Sequence, residues 1–138
     1  MTRVLFVCLG NICRSPAAEA VLRQLRPDWE IDSCGTGGWH VGDAPYGPMQ
    51  DVARARGIDM GDLRARQLSE RDFARFDLVV AMDAQNLAAI EAMGGEAVLL
   101  GAFDGSGAAV PDPYYTGDFD GALDMIQRCC AALVAAQG

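Results

Sequence analysis

The chain contains no lysine, and its 11 basic residues are all arginines against 19 acidic residues, which leaves a net charge of -8. Phosphate backbones are bound by clustered Lys and Arg side chains, so this balance argues against a nucleic-acid partner. The single histidine, His40, excludes a histidine-rich metal site. No apolar run approaches the roughly 20 residues of a membrane helix, and the N-terminus MTRVLFVCLG lacks the features of a secretory signal. We therefore expect a cytoplasmic protein without a membrane partner.

The number and spacing of the cysteines argue against a disulfide framework and against a zinc site. Their odd number and the missing secretion signal make a disulfide framework improbable. Their spacing does not match the paired knuckles of a zinc site, so we expect no metal and no cofactor. The last two lie in an apolar C-terminal stretch, where buried and inert thiols are expected. The five are Cys8, Cys13, Cys34, Cys129 and Cys130.

Short apolar runs alternate with helical patterns along the whole chain. The expected strands are residues 3–7, 29–34, 77–82 and 97–100, and the expected helices are residues 15–26, 48–56, 69–75, 84–93 and 118–136. This alternation predicts an α/β fold, a small doubly wound domain over residues 1–138 with a four-stranded parallel sheet and helices on both faces. Ligands of such domains bind beyond the carboxyl ends of the strands.

The most informative segment is the loop Cys8–Ser15, which joins the first strand to the first helix. Successive N–H groups of such a loop form a nest for an anion, and the helix N-terminus adds partial positive charge. Arg14 can close the nest with a bidentate fork to two phosphate oxygens. The same donors stabilise a thiolate, so we expect Cys8 to be ionised at neutral pH and to attack phosphorus in line. The loop therefore indicates a phosphate-monoester hydrolase with a phosphocysteine intermediate.

Two other loop residues suit supporting roles. Ser15 can donate a hydrogen bond to the Cys8 sulfur, and Asn11 suits a left-handed turn with its amide bonded across the loop. The competing interpretation is a buried core thiol beside an ordinary Gly10-Asn11 turn. The strand before the loop and the Ser15-Pro16 helix start after it favour the functional interpretation.

A hydrolase of this kind also needs an acid to protonate the leaving group, and Asp112 is the candidate. Prolines on both sides fix its backbone, and Tyr114 and Tyr115 follow as aromatic walls. The alternative is a rigid surface turn. Trp39, in the glycine-rich loop after the second strand, is expected to stack on an aromatic substrate ring, with a loop anchor as the alternative. His40 is assigned no role, because nothing places it near the loop.

These segments resemble the low-molecular-weight protein tyrosine phosphatases. VLFVCLGNICRSPAAEAVL is similar to that family's signature segment, and DPYY to its general-acid loop. Gly35-Thr36 with Trp39, the stretch RARQL at 64–68, and matches between Asp77 and Leu87 follow in the same order, so the resemblance covers essentially the whole chain. The family's flavodoxin-like three-layer sandwich agrees with the doubly wound sheet.

The resemblance implies a role for each matching residue. Cys8 is implied as nucleophile, Arg14 as phosphate binder, and Asp112 as acid in the first step and base in the second. Cys13 is implied to form a reversible disulfide with Cys8, which protects the nucleophile from over-oxidation. The substrate, a phosphotyrosine-containing protein, is implied to contact Leu9, Gly10, Asn11, Ile12, Cys13, Ser15, Trp39, Tyr114 and Tyr115, with phosphate or another oxyanion as the ligand of the loop. One departure is Leu63, which stands where animal members often have a histidine behind the loop, so how Asn11 is held is open.

Three alternatives to a tyrosine phosphatase remain. An arsenate reductase of the same fold needs two further cysteines close together, and residues 60–100 contain none. A phosphoarginine phosphatase typically has threonine where Ile12 stands. A non-catalytic phosphate-binding or redox-sensing module, built on Cys8 and Cys13, has no need of Asp112.

Overall fold

A computed structural model describes residues 2–137, and it confirms the expected fold class. The four strands are β1 (Arg3–Cys8), β2 (Glu30–Gly35), β3 (Leu78–Ala81) and β4 (Val98–Leu99). All pairs are parallel, in the order β2-β1-β3-β4. Each expected strand is present within two residues of its predicted bounds.

Six helices lie within residues 2–137, one more than the sequence predicts. They are α1 (Arg14–Leu25), α2 (Gly47–Ala55), α3 (Arg71–Arg75), α4 (Ala84–Ala92), α5 (Pro113–Thr116) and α6 (Phe119–Gln137). The unpredicted helix is α5, a single turn whose N-cap is Asp112 and whose first residue is Pro113. Proline is tolerated there because the N–H it lacks has no partner inside the helix. No helix of the part described is long and apolar enough to span a bilayer.

The start of α3 differs slightly from expectation. The helix expected over residues 69–75 opens with Ser69-Glu70-Arg71-Asp72, which has the pattern of a capping box, but α3 begins at Arg71. Half of the box is formed, since the Asp72 carboxylate accepts the Ser69 N–H at 2.9 Å. The Ser69 hydroxyl accepts instead from the Arg71 N–H, so the first turn begins later than the pattern suggests.

Strand β1 is buried on both faces of the sheet. Val4 and Phe6 belong to the core beneath α1, α2 and α6, whereas Leu5 and Val7 belong to the core beneath α3 and α4. The period of two in a strand explains this division, and helices on both faces explain why the run RVLFVC is apolar without alternation.

The strand order places the functional site. The chain leaves β1 for β2 on one side of the sheet and returns to β3 on the other, so the order reverses at β1. A crevice opens at such a switch point, beyond the carboxyl ends of the strands. Cys8, at the end of β1, pairs with Gly35, and Val7 pairs with Ala81. The segments after all three strands therefore converge on the Cys8 loop.

Candidate active site

The Cys8 sulfur receives hydrogen bonds from two groups of its own loop. The Ser15 Oγ lies 2.9 Å from the Cys8 Sγ, and the Asn11 backbone N–H donates to the same sulfur at 3.2 Å. Asn11 has a φ of 57°, the left-handed conformation that turns this N–H inward. The sulfur is thus the focus of the loop, as expected for a nucleophile.

The direction of the Ser15 hydrogen bond follows from its neighbours. The Asn11 side chain donates to the Ser15 Oγ at 2.8 Å, so the hydroxyl proton is free for another acceptor. That proton can reach the Cys8 sulfur at 2.9 Å or the Cys34 carbonyl at 3.4 Å. The shorter contact favours the sulfur.

Asn11 is held by three partners behind the loop. Its amide nitrogen donates to the Ser15 and Ser33 hydroxyls, and its Oδ1 accepts the Arg66 backbone N–H at 3.0 Å. Leu63, whose position raised the question of how Asn11 is held, packs half-buried against the core. Both donors and the oxygen of the Asn11 amide are thus hydrogen-bonded without a histidine there.

The backbone that reaches Asn11 is itself anchored. The Arg66 guanidinium makes two 3.0 Å hydrogen bonds to Asp72, on α3, and a third of 3.1 Å to Asp32, on β2. Residues Arg66 and Leu68 also bond the backbone of Gly35 on the outer side of β2. The RARQL stretch is therefore fixed where it supports the loop.

The buried carboxyl of Glu19, which was not predicted from the sequence, extends this network. The Ser33 hydroxyl donates to Glu19 on α1 at 2.7 Å, and Glu19 pairs with Arg23 at 2.6 Å. Burial is the main reason that the pKa of Glu19 rises to about 7, while Ser33 and Arg23 act in the opposite direction. Helical spacing places Glu19 on the same side of α1 as the apolar residues Ala18 and Leu22. This position was the one sequence signal that could have identified Glu19 as buried.

Arg14 is at the start of α1 with its side chain only 3% exposed. It donates to the Asp83 carboxylate at 2.8 Å, to the Val110 carbonyl at 2.9 Å, and to Asp112 at 3.4 Å. Asp83 has no role in the sequence-based prediction, although it lies two residues beyond the end of β3, beside the switch point. Fixed by these partners, the guanidinium is oriented at the mouth of the loop.

Asp112 is held at the start of α5 as the helix N-cap. Its Oδ1 accepts the Tyr114 N–H at 3.1 Å, which leaves Oδ2 directed toward Arg14. The side chain is 23% exposed, so it can reach both solvent and a bound substrate. The prolines on both sides fix the backbone of this carboxyl.

A cavity of about 270 Å³ opens above the sulfur. Trp39 and Tyr115 stand at its rim, 73% and 75% exposed, and Tyr114 packs against Tyr46 with ring centroids 5.2 Å apart. The side chains of Asn11 and Ser15 were expected both to support the loop and to contact substrate; they lie buried behind the loop and do not line the cavity. The cavity is lined by Cys8, Leu9, Gly10, Ile12, Cys13, Arg14, Trp39, His40, Asp112, Tyr114 and Tyr115.

His40 lines this cavity, although no role was predicted for it from the sequence. Its ring lies over the loop, since a Cβ atom added to Gly10 would be 3.1 Å from the His40 Cδ2. Its Nδ1 lies 3.1 Å from the Asp43 carboxylate. The sequence signal that could have identified His40 was its neighbour Trp39, which was already expected at the site. Among residues 2–137, no three acidic, cysteine or histidine side chains converge as metal ligands.

Comparison with protein families agrees with this geometry. A family model described as low molecular weight phosphotyrosine protein phosphatase matches residues 3–137. The low molecular weight protein-tyrosine-phosphatase YfkJ of Bacillus subtilis is 43% identical over 98% of this chain and 95% of its own length. The human low molecular weight phosphotyrosine protein phosphatase is 39% identical over 95% of this chain and 92% of its own length.

Solved structures show the same fold. The crystal structure of YfkJ superposes with a TM-score of 0.93 at 42% identity, covering 99% of this chain and 94% of its own. The crystal structure of a Drosophila arginine phosphatase gives a TM-score of 0.92 at 33% identity, covering 99% of this chain and 98% of its own.

Proposed function

The chain belongs to the low molecular weight phosphotyrosine protein phosphatase family, and on that premise we propose how its own residues carry out the reaction. In the first step the Cys8 thiolate attacks phosphorus, the bond to the tyrosine oxygen breaks, and Asp112 gives its proton to that oxygen. In the second step a water molecule attacks the phosphocysteine and gives a proton to Asp112. The bond between sulfur and phosphorus then breaks, releasing phosphate and the thiolate.

The observation that carries this mechanism is the environment of the Cys8 sulfur. It is 2% exposed, receives hydrogen bonds from Ser15 and Asn11, and lies at the base of the cavity that Asp112 lines. The two donors stabilise negative charge on sulfur both before attack and when the phosphocysteine is hydrolysed. An inert core thiol has no need of either donor.

Arg14 is proposed to change partners when a phosphoryl group binds. Its guanidinium is paired with Asp83 and more loosely, at 3.4 Å, with Asp112. A phosphoryl group with two negative oxygens in the nest can replace the weaker contact with a bidentate one. This exchange frees Asp112 to take a proton from solvent and to act as acid, while Asp83 keeps the guanidinium in place.

The walls of the cavity support an aromatic substrate. Leu9 and Ile12 contribute apolar surface, and Trp39, Tyr114 and Tyr115 contribute rings that can pack on a phenyl group. Because one structural relative is an arginine phosphatase, the test compares matched peptides that carry phosphotyrosine or phosphoarginine. We expect a higher kcat/KM for phosphotyrosine, because the apolar side chain of Ile12 offers a guanidinium group no hydrogen-bond acceptor. We also expect Cys8→Ser to lose turnover. Preference for phosphoarginine would contradict the assignment.

We also propose that Cys13 protects the nucleophile by a reversible disulfide. Both thiols belong to the loop and line the cavity. Burial, and then the charge of Cys8, raise the pKa of Cys13 to about 12, so Cys13 stays a neutral thiol while Cys8 reacts first. Peroxide converts the Cys8 thiolate to a sulfenic acid, and the Cys13 thiol displaces water from it to give the disulfide. A thiol reductant restores both cysteines.

The remaining proposals concern partners and location. The net charge of -8 disfavours nucleic acid and leaves the loop as the local attraction for phosphate and similar oxyanions. The proposed partner is a phosphotyrosine-containing protein, and no cofactor or metal is required by the two steps. Unpaired cysteines in a reactive loop suit a reducing compartment, which favours the cytoplasm.

A further inference from the structure

A second cavity, of about 290 Å³, lies beside the phosphate pocket. The two cavities share the walls formed by Leu9, Arg14, Asp112 and Tyr115. The start of α4 forms another part of the second cavity. A peptide whose phosphotyrosine occupies the first cavity therefore carries its neighbouring residues close to the second.

The accessible polar groups of this second cavity include two carboxylates beside the uncharged side chains of Thr36 and Gln85. The carboxylates of Asp83 and Asp112 are 22% and 23% exposed. Among the described residues that line it, Arg14 is the one cation, and its side chain is 3% exposed and already paired with both carboxylates. An ionised carboxylate accepts about four hydrogen bonds, so Asp83 has capacity beyond its contacts to Arg14 and the Asn86 N–H. The cavity is therefore suited to a cation.

Asn86 gives independent evidence for a ligand. The residue lines the cavity and is 3% exposed, and its Oδ1, an atom enclosed by the protein, has no hydrogen-bond partner among residues 2–137. Buried polar side-chain atoms almost always have a partner, so this oxygen has the capacity to accept a hydrogen bond from a group outside the chain. The terminal torsion of asparagine is soft, and the amide can turn its oxygen toward a donor in the cavity.

We propose that this cavity, the α4 subsite, binds a lysine or arginine side chain of the phosphotyrosine substrate. Asp83 pairs with the cationic group, and Asn86 accepts one of its N–H bonds. The α4 subsite rests on the proposed phosphatase function, because the peptide is anchored by its phosphotyrosine over Cys8. It adds a preference for basic residues near the phosphotyrosine, which the aromatic pocket does not by itself provide.

The test is a positional scan of phosphotyrosine peptides that carry lysine, norleucine or glutamate at each flanking position. We expect one position at which lysine raises kcat/KM severalfold over norleucine and glutamate lowers it. Gln85→Lys places a cation in the wall of the α4 subsite. In this variant the lysine peptide should lose its advantage in kcat/KM over the norleucine peptide. Ala88→Lys adds the same charge to an exposed position of α4 that does not line the subsite, and should retain that advantage.

Asn86→Ala separates the amide from the general charge of the region. The substitution removes the unpartnered acceptor without changing net charge. It should lower the ratio of kcat/KM between the lysine and norleucine peptides and leave the ratio between the glutamate and norleucine peptides unchanged. Equal kcat/KM for the lysine, norleucine and glutamate peptides at every position would overturn the α4 subsite. Equal loss of the lysine advantage in Gln85→Lys and Ala88→Lys would overturn it as well. Turnover of a small aryl phosphate by the unaltered protein is the separate check, since its absence would refute the phosphatase function instead.

Discussion

Ser15 shows how much a single side chain contributes to the loop, because its hydroxyl proton has one good acceptor. The Asn11 amide fills one lone pair of the Ser15 Oγ and so directs the proton to the Cys8 sulfur. A hydrogen bond to a charged group is worth roughly 1.5–3 kcal/mol. Ser15→Ala should therefore slow phosphoenzyme hydrolysis by about tenfold to a hundredfold, because sulfur becomes a poorer leaving group.

Single-turnover kinetics with an aryl phosphate measure this effect. Ser106→Ala is the matched control, since that hydroxyl bonds only groups of its own turn, and it should leave both steps unchanged. If Ser15→Ala and Ser106→Ala had the same rates, the hydrogen bond to sulfur would have no catalytic role.

Asp112 gives a second prediction at the same scale. General acid catalysis contributes about 10²–10⁴-fold, and an amide cannot donate a proton in this way. Asp112→Asn should therefore slow the first step most for poor phenolate leaving groups and least for good ones. A series of aryl phosphates of graded leaving-group pKa measures the slope, and Asp62→Asn, on the exposed surface, is the control. Equal loss for every ester would remove Asp112 from the acid role.

At the scale of the elements, the close approach of β2 to the loop determines where the nest lies. A Cβ atom added to Gly35 would lie 2.8 Å from the Leu9 carbonyl oxygen and 3.1 Å from the Gly10 carbonyl carbon. Both are backbone atoms, which cannot rotate away as a side chain can. Gly35→Ala should cost about 1–3 kcal/mol of stability, typical of an overpacked site. It should also lower kcat, because the loop moves relative to Arg14.

Gly47→Ala tests whether the loss is specific to that position. Gly47 begins α2, and an added Cβ there would meet nothing within 4 Å. Urea unfolding and aryl-phosphate kinetics should show both losses in Gly35→Ala and neither in Gly47→Ala. Full activity in Gly35→Ala would mean that the loop does not depend on this contact.

The elements also show what a sequence can and cannot predict here. The strand Arg3–Cys8 and the helix that opens at Ser15-Pro16 follow from local patterns, and they are enough to place the loop. Helix α5 was missed because a four-residue turn has no periodicity to detect. Asp83 was missed because its role depends on β3 lying beside β1, which is a property of strand order.

The hydrogen-bond network behind the loop could not be predicted from the sequence for a related reason. Glu19 and Ser33 meet only when α1 packs on β2, and neither residue has an unusual sequence context. His40 adjoins a residue that was expected at the site, but its place over Gly10 depends on how the glycine-rich loop folds back. Contacts between distant segments therefore account for what the sequence left unassigned.

At the scale of the whole molecule, Glu19 links stability to pH. Its folded pKa is raised from 4.5 to about 7, so the folded state holds a proton that the unfolded chain releases. The stability associated with that proton is complete below pH 4.5 and is lost as pH rises through about 7. The total is about 3 kcal/mol, taking roughly 1.4 kcal/mol for each pKa unit.

Glu19→Gln keeps an acceptor for Ser33 and removes the titration. The free energy of unfolding of this variant, relative to the unaltered protein, should therefore increase as pH rises from 4.5 to 7. The comparison cancels the other carboxyl groups, which titrate alike in both proteins. Urea unfolding at several pH values measures the difference, and a difference that did not vary with pH would show that Glu19 titrates normally.

The central claim is that Cys8 carries the phosphoryl group between the two steps, and trapping that intermediate tests it most directly. Turnover of an aryl phosphate is quenched within milliseconds, and mass spectrometry locates the phosphate on the digested chain. We predict phosphate on the Cys8 sulfur, more of it in Asp112→Asn with a good leaving group, and none in Cys8→Ser. Phosphate on another residue, or undiminished turnover in Cys8→Ser, would contradict the account.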